Sequence, residues 1–426
     1  MNKFLIIPLF FGLIFTKSAI FGIAEAGESL ESKLRLTFEE RIRWTDRHEL
    51  DLDTDTGKNL DYMEILTRVG VVFTPDENTT FSARMANDNR PYFQPKTRYE
   101  IDEVIFDKFY LKLDKVLGTP HSLTIGRQEI KYGEGFIIFD GIAKAGLLTN
   151  YFDAVKGSLN FSKTTVDIFI TRQPKEDEFL VINSLHKPLN RNLGTMQAAG
   201  IYLVNKSLDK HQLDTYYLYS HEMTNSPKVE LNTIGFRASG PLAEKIDYAF
   251  EIARQIGETD NNPKAALGGL AHLTYKLPIK YSPAIKLEYD YFSGDDPDTA
   301  KDEGWDPVYS TYNKYDNLYP YLLALDYGSI SYWTNLQQLR LIGTLSLTKK
   351  QSLELSYAYL LANQHIRGAR YGSGYTRGSL FGIDYKIKLT PNIDARAFTE
   401  YFIPGNFYSD GADPASMFRF EIGYKF

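Results

Sequence analysis

Met417-Phe418-Arg419-Phe420-Glu421-Ile422-Gly423-Tyr424-Lys425-Phe426 ends the chain and decides how the rest of it is read. Phe418, Phe420, Ile422, Tyr424 and Phe426 take every second position, with Arg419, Glu421, Gly423 and Lys425 between them. Successive side chains of a β-strand point to opposite faces, so this segment is a strand with one apolar, mostly aromatic face and one ionic face. The last strand of a soluble sheet also alternates. A terminal aromatic is common by chance, but five apolar residues in one register are not.

The same period opens the chain's regular part. Leu34, Leu36, Phe38, Ile42 and Trp44 share one face, with Glu40 as the single exception; Arg35, Thr37, Glu39, Arg41 and Arg43 share the other. Working inward from both ends predicts eighteen strands, at 33–44, 60–74, 79–90, 103–114, 121–130, 152–162, 164–173, 196–207, 211–221, 230–239, 245–257, 266–277, 283–293, 335–348, 351–362, 378–389, 392–402 and 416–426. Their connections alternate in length. Those at 74–78, 163, 207–210, 349–350 and 390–391 are short, and those at 45–59, 131–151, 174–195, 294–334, 363–377 and 403–415 are long. Short turns on one side and long loops on the other are the layout of an antiparallel, up-and-down transmembrane β-barrel. A soluble sandwich has no reason to keep that parity. Eighteen strands leave an aqueous lumen and return both termini to the same side. The final strand, ending in Phe426, resembles the assembly signal of outer-membrane barrels, which predicts the barrel-assembly machinery as a partner.

Bulk composition agrees without deciding. Hydrophobic residues make up 43% of 426 residues, and the mean hydropathy is −0.32. A barrel with an apolar outside and a polar inside averages to such values. The 30 Tyr and 27 Phe, against 3 Trp and 6 Met, favour strands and supply aromatic girdles. No cysteine is present, which excludes disulfides, thiolate metal sites and cysteine nucleophiles. A net charge of −6 argues against nucleic-acid binding.

Lys3, the apolar run Phe4–Phe15 and Ala24-Glu25-Ala26 make a secretory signal-peptide pattern over residues 1–26, too short for a membrane anchor. One barrel domain is then expected over 27–426 in the bacterial outer membrane, with lipid around it.

Placing the apolar residues toward lipid assigns the ionic face to the lumen. Arg35, Arg41, Arg43, Arg68, Arg84, Lys108, Lys112, Lys156, Arg237, Arg340, Arg396 and Arg419 fall there, with Glu39, Glu64, Asp214, Asp247, Glu251, Glu288, Asp290, Glu354, Asp394 and Glu400. One arginine or lysine facing lipid near the midplane costs about 2–4 kcal/mol, so a dozen cannot be misplaced. Such charges either select ions or form cross-strand pairs that stiffen the wall, and alternation does not separate the two.

Leu123-Thr124-Ile125-Gly126-Arg127-Gln128-Glu129 with Tyr132-Gly133-Glu134-Gly135 is similar to the IGRQ…GxG segment of the alginate-export family of outer-membrane porins. Tyr151-Phe152-Asp153-Ala154-Val155-Lys156 is similar to its FDGVR segment, with Ala154 for the glycine and Lys156 for the arginine. Thr233-Ile234-Gly235-Phe236-Arg237, the stretch Tyr248 to Gly257, and Tyr289 to Asp296 match further motifs in order. The resemblance implies an eighteen-stranded barrel passing a negatively charged polysaccharide through an arginine-rich constriction. On that basis Arg127, Lys156, Arg237 and Arg340 are the expected positive pore lining, with Glu251 and Asp290 as acidic partners. Strict alternation from Leu123 puts Arg127 on the outer face, so only a bulge or a position above the bilayer would bring it to the pore. Lys156 keeps the charge but loses the planar fork that suits a carboxylate.

Catalysis finds little support. Of seven histidines, only His272 sits inside a strand on the lumen face, and no zinc-spaced pair, nucleophile elbow or phosphate loop occurs. No enzyme activity, metal or cofactor is expected. The acidic stretches 294–298 and 51–55 read as solvated loops. The alternative to transport is glycan binding or adhesion through the long loop 294–334, which carries Trp305, Tyr309, Tyr312, Tyr315, Tyr319 and Tyr321.

Overall fold

A computed structural model describes residues 33–53, 57–96, 103–139, 151–176, 180–183, 194–223, 228–310 and 317–426. The expected signal segment lies outside them. Ten strands form the first half: β1 (Leu34–His48), β2 (Leu60–Asp76), β3 (Thr79–Asn89), β4 (Tyr92–Gln94), β5 (Glu103–Leu113), β6 (Ser122–Gln128), β7 (Phe152–Phe161), β8 (Thr164–Gln173), β9 (Leu180–Asn183) and β10 (Thr195–Asn205). Ten more follow: β11 (Gln212–Met223), β12 (Val229–Ala243), β13 (Ile246–Thr259), β14 (Asn262–Lys276), β15 (Ala284–Phe292), β16 (Leu336–Thr348), β17 (Gln351–Leu361), β18 (Thr376–Lys388), β19 (Ile393–Pro404) and β20 (Ala415–Lys425). A helix, α1 (Tyr319–Tyr327), lies in the long connection between β15 and β16.

Eighteen of these strands are the staves of a closed antiparallel barrel, and each expected strand matches one of them to within four residues at either end. The short β4 and β9 are rim pieces, paired to β2 and β5 respectively. β1 closes the cylinder on β20 with Ile42 opposite Ile422 and Trp44 opposite Phe420. Phe38 and Phe426 exchange backbone hydrogen bonds of 3.2 and 3.1 Å at the seam. Closure leaves none of the eighteen staves as an edge strand, as a wall in hydrocarbon requires.

The two faces sort as the period demands. Phe418, Phe420, Ile422 and Tyr424 are exposed on the outside, whereas Arg419 between them is buried on the inside. Ile168 and Ile170, Ile234 and Phe236, and Leu339 and Leu341 repeat the pattern around the barrel. Glu40 faces outward, where Thr67 directly opposite donates its hydroxyl hydrogen at 2.7 Å. The alternation of turn lengths also holds, with two exceptions on the long-loop side: β11 and β12 join through five residues, 224–228, and β13 and β14 through Asp260 and Asn261 alone, both left-handed (φ 49° and 67°). β5 carries one bulge: Arg84 pairs with Lys108 and Met85 with Phe106, leaving Asp107 as the extra residue. Its carboxylate turns inward onto two arginines.

Candidate functional site

The lumen is constricted by two inward segments. The first, residues 129–139, leaves β6 just beyond Gly126. That residue has φ +115°, and a Cβ there would lie 2.3 Å from the Phe109 carbonyl oxygen. Tyr132 lies flat on Tyr202 (4.1 Å, 7°), and Tyr202 on Tyr216 (5.3 Å, 7°). Their hydroxyls donate to Asp167, Asp214 and Glu251 at 2.8, 2.9 and 2.9 Å. The rings can lie against the wall because Gly235 faces Tyr216, where a Cβ would sit 2.1 Å from the ring. Close packing is therefore what Gly235 provides. His272 and Glu134 meet at 2.8 Å, which ties the segment's tip to β14.

The second segment joins β15 to β16. Phe139 donates its backbone N–H to the Tyr309 carbonyl (3.2 Å), and the Ser310 hydroxyl donates to the Gly135 carbonyl (2.7 Å), so the two segments bind each other. Trp305, Tyr309, Tyr319 and Trp333 are at most 1% exposed. The aromatics of this loop are thus spent on filling the lumen; Tyr312 and Tyr315 lie outside the described residues. α1 has no capping side chain of its own. Instead Glu400 on the wall accepts hydrogen bonds from the Asn317 and Leu318 N–H groups at 2.9 and 2.6 Å, opposite the positive end of the helix dipole. At the far end Gly328 (φ +70°) closes the helix by donating to the Ala324 carbonyl at 3.0 Å. Arg377 fastens that end through a buried ion pair with Asp326 and bonds to Tyr327 (2.8 Å) and Tyr319 (3.3 Å).

The inner wall has two unlike sectors. From β20 through β1 to β3 it is rich in arginine. Arg43 sits between Glu64 (3.1 Å) and Glu421 (2.6 Å), and Arg68 and Arg84 share Asp107 at 2.9 and 2.8 Å. Arg47 and Arg419 differ, since among the described residues neither has a carboxylate within ion-pair distance. Arg47 is wholly buried, donates to the Tyr62 hydroxyl (2.8 Å), and lies 3.8 Å from the centre of the Tyr321 ring. Among the described residues its Nε and second Nη have no hydrogen-bond partner. Arg419 donates to the Thr45 hydroxyl (3.0 Å) and the Asn317 side-chain oxygen (2.8 Å). From β7 to β16 the wall carries Asp167, Asp214, Glu251, Glu288 and Asp290, all inward.

Five of the six expected site residues face the lumen, all in this second sector. Arg237 is the cross-strand partner of Glu251, and it lies 3.2 Å from Asp214 and 3.9 Å from Glu251. Lys156 is 3.5 Å from Asp167, Arg340 is 3.9 Å from Glu288, and Asp290 is fully buried. Arg127 is the correction. It pairs in register with the outward Phe109 and with Asp153, whose carboxylate it grips at 2.7 and 2.9 Å, so it belongs to the outer face that strict alternation gives it. The Gly126 kink does not reverse its side. Arg47 escaped the sequence reading because its strand was ended at residue 44, and the anchoring roles of Glu400 and Arg377 depend on a helix that the reading left as loop. Pro320 and Gly328 are the start and stop signals that mark that helix. Among the described residues, no three carboxylate or imidazole side chains converge as metal ligands.

Comparison with known proteins supports the same architecture. The family model for alginate export matches residues 33–421. The fold is similar to Pseudomonas aeruginosa OccK3 (TM-score 0.60, 11% identity, 94% of this chain and 97% of that one). It is also similar to OccK2 of the same organism solved in complex with glucuronate (0.58, 12%, 93% and 98%) and to its OprD (0.57, 12%, 95% and 97%). No curated protein matches the chain significantly.

Proposed function

The chain belongs to the alginate-export family and is a channel of the bacterial outer membrane, and from that premise we propose that it passes an acidic saccharide by passive diffusion. The observation that carries this reading is the pair Arg47 and Arg419, buried in the constriction with no carboxylate in contact among the described residues. A buried guanidinium with no carboxylate in contact is costly, and an entering anion relieves the cost. The planar fork of arginine suits a sugar carboxylate, and the rings of Tyr62 and Tyr321 flank Arg47 and fix the plane of that fork. The acid-paired Lys156, Arg237 and Arg340 play a lesser part, keeping the opposite wall near neutral alongside Glu251 and Asp290. That OccK2 was solved with glucuronate is consistent with a uronate as solute on this fold. The inward burial of Trp305 and Tyr309 favours passage over adhesion. The aromatic face of β20 serves as the signal for the assembly machinery.

The test is single-channel recording in planar bilayers. The wild-type barrel prefers chloride to potassium by reversal potential, and uronate oligosaccharides block it where neutral ones do not. Arg47→Gln with Arg419→Gln abolishes the preference and weakens the block by about tenfold or more, on the scale of two charge-assisted contacts. Arg237→Gln changes both far less. A cation-selective wild-type channel refutes the proposal.

A further inference from the structure

The short turns of an outer-membrane barrel stand at its periplasmic end, beside the inner leaflet. Five successive short turns, from β7–β8 to β16–β17, share one composition. Four of them set an exposed apolar residue beside exposed lysine: Phe161 with Lys163, Leu208 with Lys206 and Lys210, Leu242 with Lys245, and Ile279 with Lys280. Lys349 and Lys350 make up the fifth. The acids on these turns are Asp209 and Glu244, so the arc is strongly positive on a chain whose net charge is −6. Among the described residues none of the seven ammonium groups lies within ion-pair distance of a carboxylate. The acids next along the strands are engaged or turned inward: Asp247 pairs with Lys276, Asp384 with Arg396 and Lys386, and Glu354 takes the lumen face of β17. The rest of the rim differs. Asp76 and Glu77 make the β2–β3 turn acidic, Glu77 holds Lys115 of the β5–β6 turn at 3.1 Å, and Lys388 beside the β18–β19 turn stands opposite Asp394.

The apolar residues of the arc continue the lipid-facing wall. Phe161 falls in phase with Val155 on β7, and Ile279 with Leu273 and Tyr275 of β14. Phe161, Leu208, Leu242 and Ile279 are each more than half exposed. Side chains of that size are stabilised by leaving water, so the hydrocarbon boundary reaches the turns themselves. A lysine at that boundary lays its aliphatic stem along the lipid and holds its ammonium at the depth of the headgroup phosphates. Lys280 is placed in this way, with its ammonium 4.8 Å from the centre of the interfacial Tyr281 ring. An acidic polymer in the periplasm would account for the lysines and leave the apolar residues in water. We infer that this arc binds anionic glycerophospholipid of the inner leaflet, phosphates on the lysines and acyl chains against Phe161, Leu208, Leu242 and Ile279.

The chain has no cysteine, so Ile279→Cys accepts a single fluorophore. The labelled barrel is reconstituted in phosphatidylcholine vesicles carrying a spin-labelled quencher lipid, either phosphatidylglycerol or phosphatidylcholine. At equal mole fraction phosphatidylglycerol quenches about fivefold more effectively, the worth of one lysine near an anionic surface. Lys245→Gln with Lys280→Gln brings the ratio close to one and keeps the compact gel mobility of a folded barrel, whereas Lys245→Arg with Lys280→Arg retains it. Salt at about 1 M, with a Debye length of about 3 Å, shrinks the ratio as well. A label on Leu117→Cys, in the charge-balanced part of the rim, shows no preference. A soluble polyuronate leaves the ratio at Ile279→Cys unchanged. Equal quenching by the two lipids, a label that neither lipid quenches, or a preference abolished by the polyuronate overturns the inference. The anion preference of the pore is a separate measurement and stands or falls apart from this one.

Discussion

Arg377→Ala should release the inward helix while leaving the barrel closed. In the native chain the Arg377 and Asp326 side chains are both fully buried and paired. Arg377 also donates to the Tyr327 hydroxyl at 2.8 Å and to the Asn335 carbonyl at 3.2 Å, and it stacks on Phe407 at 4.2 Å. Truncation strands the Asp326 carboxylate without its cation, a change that costs about 3–5 kcal/mol. The barrel's interstrand bonds do not involve the helix, so the cost falls on helix docking. That energy shifts the docked-to-undocked ratio by roughly 150- to 5,000-fold. The assay is single-channel recording. The variant should spend a measurable fraction of time in a larger, noisier conductance state that the wild type almost never visits. Adding Asp326→Leu to Arg377→Leu removes both charges and should recover much of the quiet behaviour, since apolar replacement of a buried pair is often neutral. A wild-type conductance trace from Arg377→Ala, or a double variant worse than either single one, refutes the argument that this pair holds the helix.

Two further outcomes follow from the constriction. Gly235→Val should lower the temperature at which the barrel loses its compact gel mobility, because a Cβ at Gly235 sits 2.1 Å from the Tyr216 ring and overpacking costs about 1–3 kcal/mol; Gly157→Ala, with nothing within 4 Å of its Cβ, should not. Asp306 lies in the second inward segment, where burial holds its carboxyl above the ordinary 3.8, against the opposing pull of Lys264 and the Val308 N–H. A raised folded value gives stability that is present below the unfolded value and lost as pH rises through the folded one. Acrylamide quenching of tryptophan fluorescence should therefore increase with pH as Trp305 loosens, and Asp306→Asn should flatten that dependence.

How much of this was legible beforehand can be judged from single residues. Arg237 and Glu251 were assigned to the lumen by alternation, and their contact follows from adjacent strands in one hairpin. Arg419 was likewise assigned inward from the last ten residues. Its contact with Asn317 was not, because a partner about a hundred residues away is set by how a loop folds back. Arg127 shows the opposite case: local pattern placed it outward, family resemblance placed it in the pore, and the pattern was right. The loop 294–334 was rich in aromatics, yet nothing local says whether such rings turn outward to solvent or inward against a wall.

The sequence by itself determined the barrel: strand number, the side each residue takes, and the parity of turns and loops. The reason is that a wall between lipid and water imposes a two-residue period at every step, and that period is written in neighbouring residues. Tertiary structure alone decided the shape of the passage. Among the described residues two loops enter the lumen, Glu400 caps a helix from the wall, and Arg47 and Arg419 meet no carboxylate, because those outcomes depend on contacts between segments far apart in the chain, where no period links one partner to the other.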